Sequence, residues 1–212
     1  MKPVLVLLIT FFSLFSCVEK SGEESIASDS SFGEINSITI VVDDNLWNGE
    51  IGDTIRKKLA APVDGLPQEE PLFTLNQYPT KVFEGTVKKN RNIVVIKKGN
   101  EVSFEYKENV FANPQQVFYL TATSNEEIVK LLEQKSGEII KFLKESEIIE
   151  NQSRIIKTPI SDQIIQERFK VKMAIRNNYK YEIVSKKFLW IRRELPTGYN
   201  ILLVYDVPIS II

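Results

Sequence analysis

Ser37-Ile38-Thr39-Ile40-Val41-Val42-Asp43-Asp44-Asn45-Leu46-Trp47-Asn48-Gly49, continuing through Glu50 to Pro62, is the stretch whose reading decides the fold. Residues 38 to 42 are all β-branched and almost all apolar, which predicts a strand buried in a sheet. Asp43, Asp44 and Asn45 then supply the short polar side chains that cap helix N-termini. Trp47, Ile51, Ile55 and Leu59 recur every four residues and share one face of a helix over Trp47 to Ala61. Pro62, which has no N–H to donate, stops that helix.

Further along, Ala61 to Pro71 carries three prolines and a glycine and reads as a loop, after which Leu72 to Tyr78 resumes as a strand. Arg91-Asn92-Ile93-Val94-Val95-Ile96 reads as a second buried strand. Lys97-Lys98-Gly99-Asn100 is its turn and Glu101 to Tyr106 its returning partner. Gln115 to Ala122 alternates at strand period. Ser124-Asn125-Glu126-Glu127 forms a capping box that opens the longest helix, reaching about Glu150. Thr158-Pro159 is placed to start another helix carrying Ile164, Ile165, Phe169 and Met173 to about Asn177. Three strands close the chain, over Tyr181–Val184, Phe188–Glu194 and Tyr199–Val207. The pattern is α+β, a largely antiparallel sheet packed by helices, in a single domain over residues 36–212.

The opposite direction from Ser37 is different in kind. Met1-Lys2 precedes an apolar run of 13 residues, Val4 to Ser16, and then Cys17. Thirteen helical residues span roughly 20 Å, short of a ~30 Å hydrocarbon core, so residues 1–16 read as a removable signal peptide. Leu14-Phe15-Ser16-Cys17 resembles the bacterial lipoprotein lipobox, in which the cysteine is acylated and becomes the first residue. Two or three acyl chains at ~0.8 kcal/mol per buried methylene hold a domain at a bilayer without a spanning helix. Residues 17–35, rich in Ser and Glu, read as a flexible tether.

Composition removes several classes of activity. The 212 residues contain no histidine, one cysteine, and 27 basic against 28 acidic side chains. Without imidazole, Ser-His-Asp and Cys-His hydrolases and His-ligated zinc sites are excluded. A single cysteine forbids an intrachain disulfide. A formal net charge of -1 gives no general attraction to phosphate backbones, so no nucleic-acid partner is expected. No phosphate-binding glycine loop or nucleophile elbow is present, and no cofactor, metal ligand set or catalytic residue is assigned.

Two groups of residues remain as candidates. Asp43, Asp44, Glu69 and Glu70 are the carboxylates near loops that a glycoside hydrolase or cation site would use, although helix capping and solvated loop charge explain all four. Trp47, Trp190, Arg192 and Arg193 have the composition of a binding hot spot, but Trp47 shares the apolar helix face and Trp190 a strand face with Phe188, so both tryptophans are expected in the core. Arg91, Arg192 or Arg193 suits a phosphate or carboxylate. Asp53-Thr54-Ile55 resembles a short bacterial O-glycosylation motif, set inside the first helix.

The ordered series Asp43-Asp44-Asn45-Leu46-Trp47-Asn48-Gly49, Leu66-Pro67-Gln68-Glu69-Glu70-Pro71-Leu72-Phe73, Arg91-Asn92-Ile93-Val94-Val95, Asn113-Pro114-Gln115 and Phe188-Leu189-Trp190-Ile191-Arg192-Arg193-Glu194 resembles an uncharacterised family of Bacteroidota lipoproteins. The resemblance implies an envelope protein of the outer membrane with no assigned activity. The lipobox places the lipid anchor at Cys17, and the anchor, the tether and the missing catalytic constellation make an envelope protein or polymer the expected partner. It also implies a family that runs on past the last hairpin, leaving the final strands short of neighbours. The leading expectation is a non-catalytic binding or structural module. The alternative is a carboxylate-dependent, metal-assisted hydrolase of envelope glycans.

Overall fold

The computed structural model describes residues 29–196 and 198–208. The expected signal peptide, Cys17 and the tether up to residue 28 lie outside the described residues. Five strands, β1 (Ser37–Val41), β2 (Thr74–Tyr78), β3 (Asn92–Lys98), β4 (Ser103–Glu108) and β5 (Gln116–Ala122), form one sheet in the order β2-β1-β3-β5-β4. The pairings β1–β2, β1–β3 and β3–β5 are parallel, and β4 runs antiparallel along β5 at the edge. The helices are α1 (Asp44–Trp47), α2 (Glu50–Leu59) and α3 (Asn125–Lys157). Ile51, Ile55 and Leu59 of α2, with Ile128, Leu132, Ile139 and Leu143 of α3, close over Ile38, Ile40, Val94, Ile96, Phe118 and Leu120 of the sheet. At ~1.5 to 3 kcal/mol for each large apolar side chain removed from water, this layer is the main source of stability. A smaller cluster of Val41, Ile93, Val95 and Val117 packs on the other face. β3 is therefore covered on both sides, which is why Ile93 to Ile96 form an unbroken apolar run.

The remainder forms a second core. α3 leads into β6 (Pro159–Ile160), α4 (Gln163–Phe169), β7 (Ile175–Arg176) and an antiparallel sheet of β8 (Lys180–Val184), β9 (Phe188–Leu195) and β10 (Gly198–Tyr205), ordered β10-β9-β8. Ile165, Ile175, Leu189 and Ile191 are its buried centre. Among the described residues four of seven strand pairings are antiparallel, and the α+β class holds. The parallel pairings are all in the five-stranded sheet. No helix among the described residues is long and apolar enough to cross a membrane.

Several local expectations are corrected. The strand after Gly99 does not return beside β3, because both edges of β3 are taken by β1 and β5, so β4 pairs beyond β5 instead. Gly99 lies so close to β5 that a Cβ there would come within 2.3 Å of the Thr121 methyl. The helix expected over Trp47 to Ala61 breaks into α1 and α2, and Gly52 lets the Trp47 carbonyl approach to where a Cβ would meet it at 1.8 Å. The helix expected from Pro159 to Asn177 shrinks to α4. Pro159–Ile160 pairs with Ile175–Arg176, Lys170 ends the helix in the left-handed region, and the Asp162 carboxylate accepts the Met173 N–H at 2.8 Å. The end of the tether, residues 29–35, is hydrogen-bonded to the fold: Asn113 N donates to Asp29 O, Ser31 N to Asn113 O, and Phe32 N to Lys89 O.

A buried ion pair joins these parts. Arg91 Nε lies 2.7 Å from Glu147 Oε1, with the two side chains only 1% and 3% exposed. Glu147 also accepts from Asn92 Nδ2 at 2.6 Å and from Asn36 N at 2.6 Å, while Arg91 donates to the carbonyls of Gly33 and Glu34. Removing one partner of such a pair strands the other charge, so Glu147→Ala and Arg91→Ala are each expected to cost about 3 to 5 kcal/mol. The double change Arg91→Met with Glu147→Leu is expected to cost less than either single truncation. Urea unfolding of the three variants checks this, and equal losses for all three would contradict it.

The start of α3 gives a pH prediction. Hydrogen bonds from the Thr123 hydroxyl (2.5 Å) and Thr123 N (3.0 Å) hold the Glu127 carboxyl below its ordinary range. A carboxyl depressed in the folded state contributes stability above its unfolded value, and that contribution is lost as pH falls through the folded one. An NMR titration should place Glu127 below a free glutamate, and Thr123→Val should raise it toward the ordinary value.

Candidate functional site

The four candidate carboxylates fall at opposite ends of the sheet. Asp43 and Asp44 follow the last residue of β1. There Asp43 accepts the Thr80 N–H and Asp44 accepts from the Gln77 amide, each at 3.0 Å. Glu69 and Glu70 lie in the exposed loop that leads into β2, whose first residue, Thr74, pairs with the first residue of β1, Ser37. The five residues of β1 separate the pairs by roughly 15 Å at ~3.3 Å per residue. These four therefore do not converge in one cleft. Thr54 of the glycosylation-like motif is 9% exposed and its hydroxyl donates to the Glu50 carbonyl, so it is turned back into its own helix.

The arginines divide three ways. Arg91 is consumed by Glu147. Arg192 is held by Glu182 and Glu194, at 3.0 and 3.4 Å, with its guanidinium 4.6 Å from the Tyr199 ring. Arg193, its neighbour on β9, points to the other face because successive strand residues alternate. There it lines a cavity of about 520 Å³ together with Arg154 of α3 and Arg176 of β7. Arg154 is tied to Glu150 at 2.6 Å and to the Gly33 carbonyl at 2.9 Å, and Arg176 donates to the Asn151 side-chain oxygen at 2.5 Å. Arg193 has no hydrogen-bond partner for its buried Nε, and the Tyr179 ring centre lies 5.4 Å from its guanidinium carbon. Among the described residues, neither Arg176 nor Arg193 is in a salt bridge. Sequence reasoning named Arg193 as an anion candidate but not Arg154 or Arg176, which lie on separate elements and carry no local motif.

Trp47 is half-buried beneath the Arg56 guanidinium, 4.6 Å from its ring. Trp190 is half-buried too, but on the outer face of the C-terminal sheet. The expectation that it belongs to the core is corrected, because the face it shares with Phe188 is the one turned away from α4. Cross-strand register puts Tyr205 opposite Phe188, Leu203 opposite Trp190 and Ile201 opposite Arg192. Tyr199, Ile201, Leu203 and Tyr205 are all about half exposed. β10 is covered on one face only, although its sequence is almost continuously apolar: alternate residues face solvent.

A second cavity, of about 650 Å³, lies where β4 and β5 meet α3. Tyr106 and Phe142 stack there at 4.6 Å, and the Tyr106 hydroxyl bonds to Glu108 and Gln116. Burial, then the Glu108 carboxylate, pushes the Tyr106 phenol well above its ordinary value, so it stays protonated at neutral pH. Glu145 and Glu150 line the same cavity.

The chain belongs to the domain of unknown function family DUF8532, whose model matches residues 31–156. Residues 158–211 match a second domain of unknown function, DUF4837. The boundary between the matches coincides with the end of α3, so the arginine cavity draws Arg154 from one matched segment and Arg176 and Arg193 from the other. No curated protein and no solved structure matches the chain.

The outer sheet face gives a direct test. Ile201→Thr with Leu203→Thr should lower binding of a hydrophobic dye while shifting the unfolding free energy by no more than about 1 kcal/mol, as for substitutions outside a core. A loss of several kcal/mol would mean that these side chains are part of the packed interior.

Proposed function

We propose that this chain is a non-catalytic binding module of the bacterial cell envelope, held at the outer membrane by acyl chains on Cys17. The observation that supports binding is the arginine cavity, where Arg154 is paired with Glu150 but Arg176 and Arg193 are in no salt bridge among the described residues. Positive charge that is not neutralised within the fold is the feature of a recognition site rather than of a structural ion pair. The lipobox-like Leu14-Phe15-Ser16-Cys17 supports the anchor. Residues up to 28 then act as the tether, and the hydrogen bonds of residues 29–35 fix where it joins the fold.

A second reading, a hydrolase of envelope glycans, has one observation in its favour. Glu108, Glu145 and Glu150 border a cavity floored by stacked aromatic rings, a combination of carboxylates and apolar platform that suits a sugar. Release of reducing ends from cell-wall glycan by the purified chain, abolished by Glu145→Gln, would establish that reading in place of the first.

The anchor is tested in cells. Cys17→Ala should abolish incorporation of labelled palmitate and leave an unprocessed precursor, whereas the parent chain should carry label and partition into detergent. Mass spectrometry that finds Cys17 unmodified in the mature protein would overturn the anchor.

A further inference from the structure

We infer that the cavity between α3 and the C-terminal sheet is a site for a small organic anion, a carboxylate or phosphate ester carried on an apolar or aromatic body. The inference rests on the binding-module reading and names its ligand class. Guanidinium groups stay charged at every physiological pH and present planar forks of donors that match carboxylate and phosphate oxygens. Two of the three here, Arg176 and Arg193, lack an acidic partner among the described residues, and the Arg193 Nε is a buried donor with no acceptor. The guanidinium groups that line the cavity need acceptors there, and an anion supplies them.

The rest of the lining fixes the other half of the ligand. Ile155, Met173, Ile175 and Leu202 give the cavity apolar walls, and the Tyr179 ring beneath Arg193 adds an aromatic surface. A volume of about 520 Å³ is that of a small-molecule site and exceeds what a bare inorganic anion fills. Arg154 is a positioning residue. Its bond to the Gly33 carbonyl holds the α3 wall against the segment that arrives from the tether, and Glu150, one turn earlier on α3, fixes its guanidinium, leaving Arg176 and Arg193 to meet the ligand.

The full chain in non-ionic detergent is titrated calorimetrically with phenyl phosphate, benzoate, benzamide and inorganic phosphate. The two aromatic anions should bind at least ten-fold tighter than neutral benzamide, more weakly as salt is raised, and phenyl phosphate should bind tighter than inorganic phosphate. Arg193→Gln and Arg176→Gln should each weaken binding about ten-fold or more, whereas Arg192→Gln, on the opposite face, should leave it unchanged. Because a cavity variant can lose its fold, the unaltered chain is also modified with phenylglyoxal and mapped by mass spectrometry. Phenyl phosphate should protect Arg176 and Arg193 and leave Arg192 and Arg56 reactive. Anions that bind no tighter than benzamide, inorganic phosphate that binds as tightly as phenyl phosphate, or protection that is absent or uniform across all arginines would each overturn the inference. Turnover of phenyl phosphate to phenol would instead overturn the binding-module reading while leaving the anion site in place.

Discussion

Arg91 and Glu147 lie together in the interior at 2.7 Å, and the seating of α3 on the five-stranded sheet depends on that pair. A carboxylate and a guanidinium removed from water are tolerated only when every remaining donor and acceptor is matched. Here the matching is done by Asn92, by the Asn36 N–H and by the carbonyls of Gly33 and Glu34. One electrostatic requirement thereby fixes three pieces of chain: the entry to β3, the middle of α3 and the segment arriving from the tether. The ten residues of α3 beyond Glu147 run about 15 Å further and carry Asn151 and Arg154 to the arginine cavity. The pair sets where that wall stands.

The burial of the helix and the sheet follows a simpler logic. β3 has neighbours on both edges and cover on both faces, so Ile93 to Ile96 are apolar without interruption. β10 has one neighbour among the described residues and one covered face, so its inward residues Leu202 and Val204 pack on the second core while Ile201 and Leu203 remain in water. The same alternation separates Arg192 from Arg193. One meets Glu182, Glu194 and Tyr199 on the open side, and the other meets Tyr179 in the cavity. Two adjacent residues of identical chemistry thus take on different roles from the pleat alone.

Much of the fold was legible in the sequence because it is written in local periods. The β-branched run before Asp43, the capping box at Ser124 to Glu127 and the three closing strands all involve residues within a few positions of each other, and their physics is complete at that range. Ser124 Oγ does accept the Glu127 N–H, at 3.2 Å, as the box requires. What could not be read was the partner of each strand. Whether β4 returns beside β3 or beyond β5 depends on which edge is already occupied, and that is settled by residues far along the chain.

The candidate site divides in the same way. The sequence by itself determined which residue types are present: no imidazole, one thiol at a lipobox-like site, and many guanidinium and carboxyl groups. Their fates were decided by tertiary structure. Arg91 was spent on Glu147 because the middle of α3 crosses the start of β3, and Asp43 and Glu70 were kept apart because the length of β1 lies between their loops. Arg154, Arg176 and Arg193 came together only because α3, β7 and β9 meet at one junction. Charges interact over a few ångströms of space irrespective of their separation in the chain, so a site assembled from three distant elements has no local signature to read.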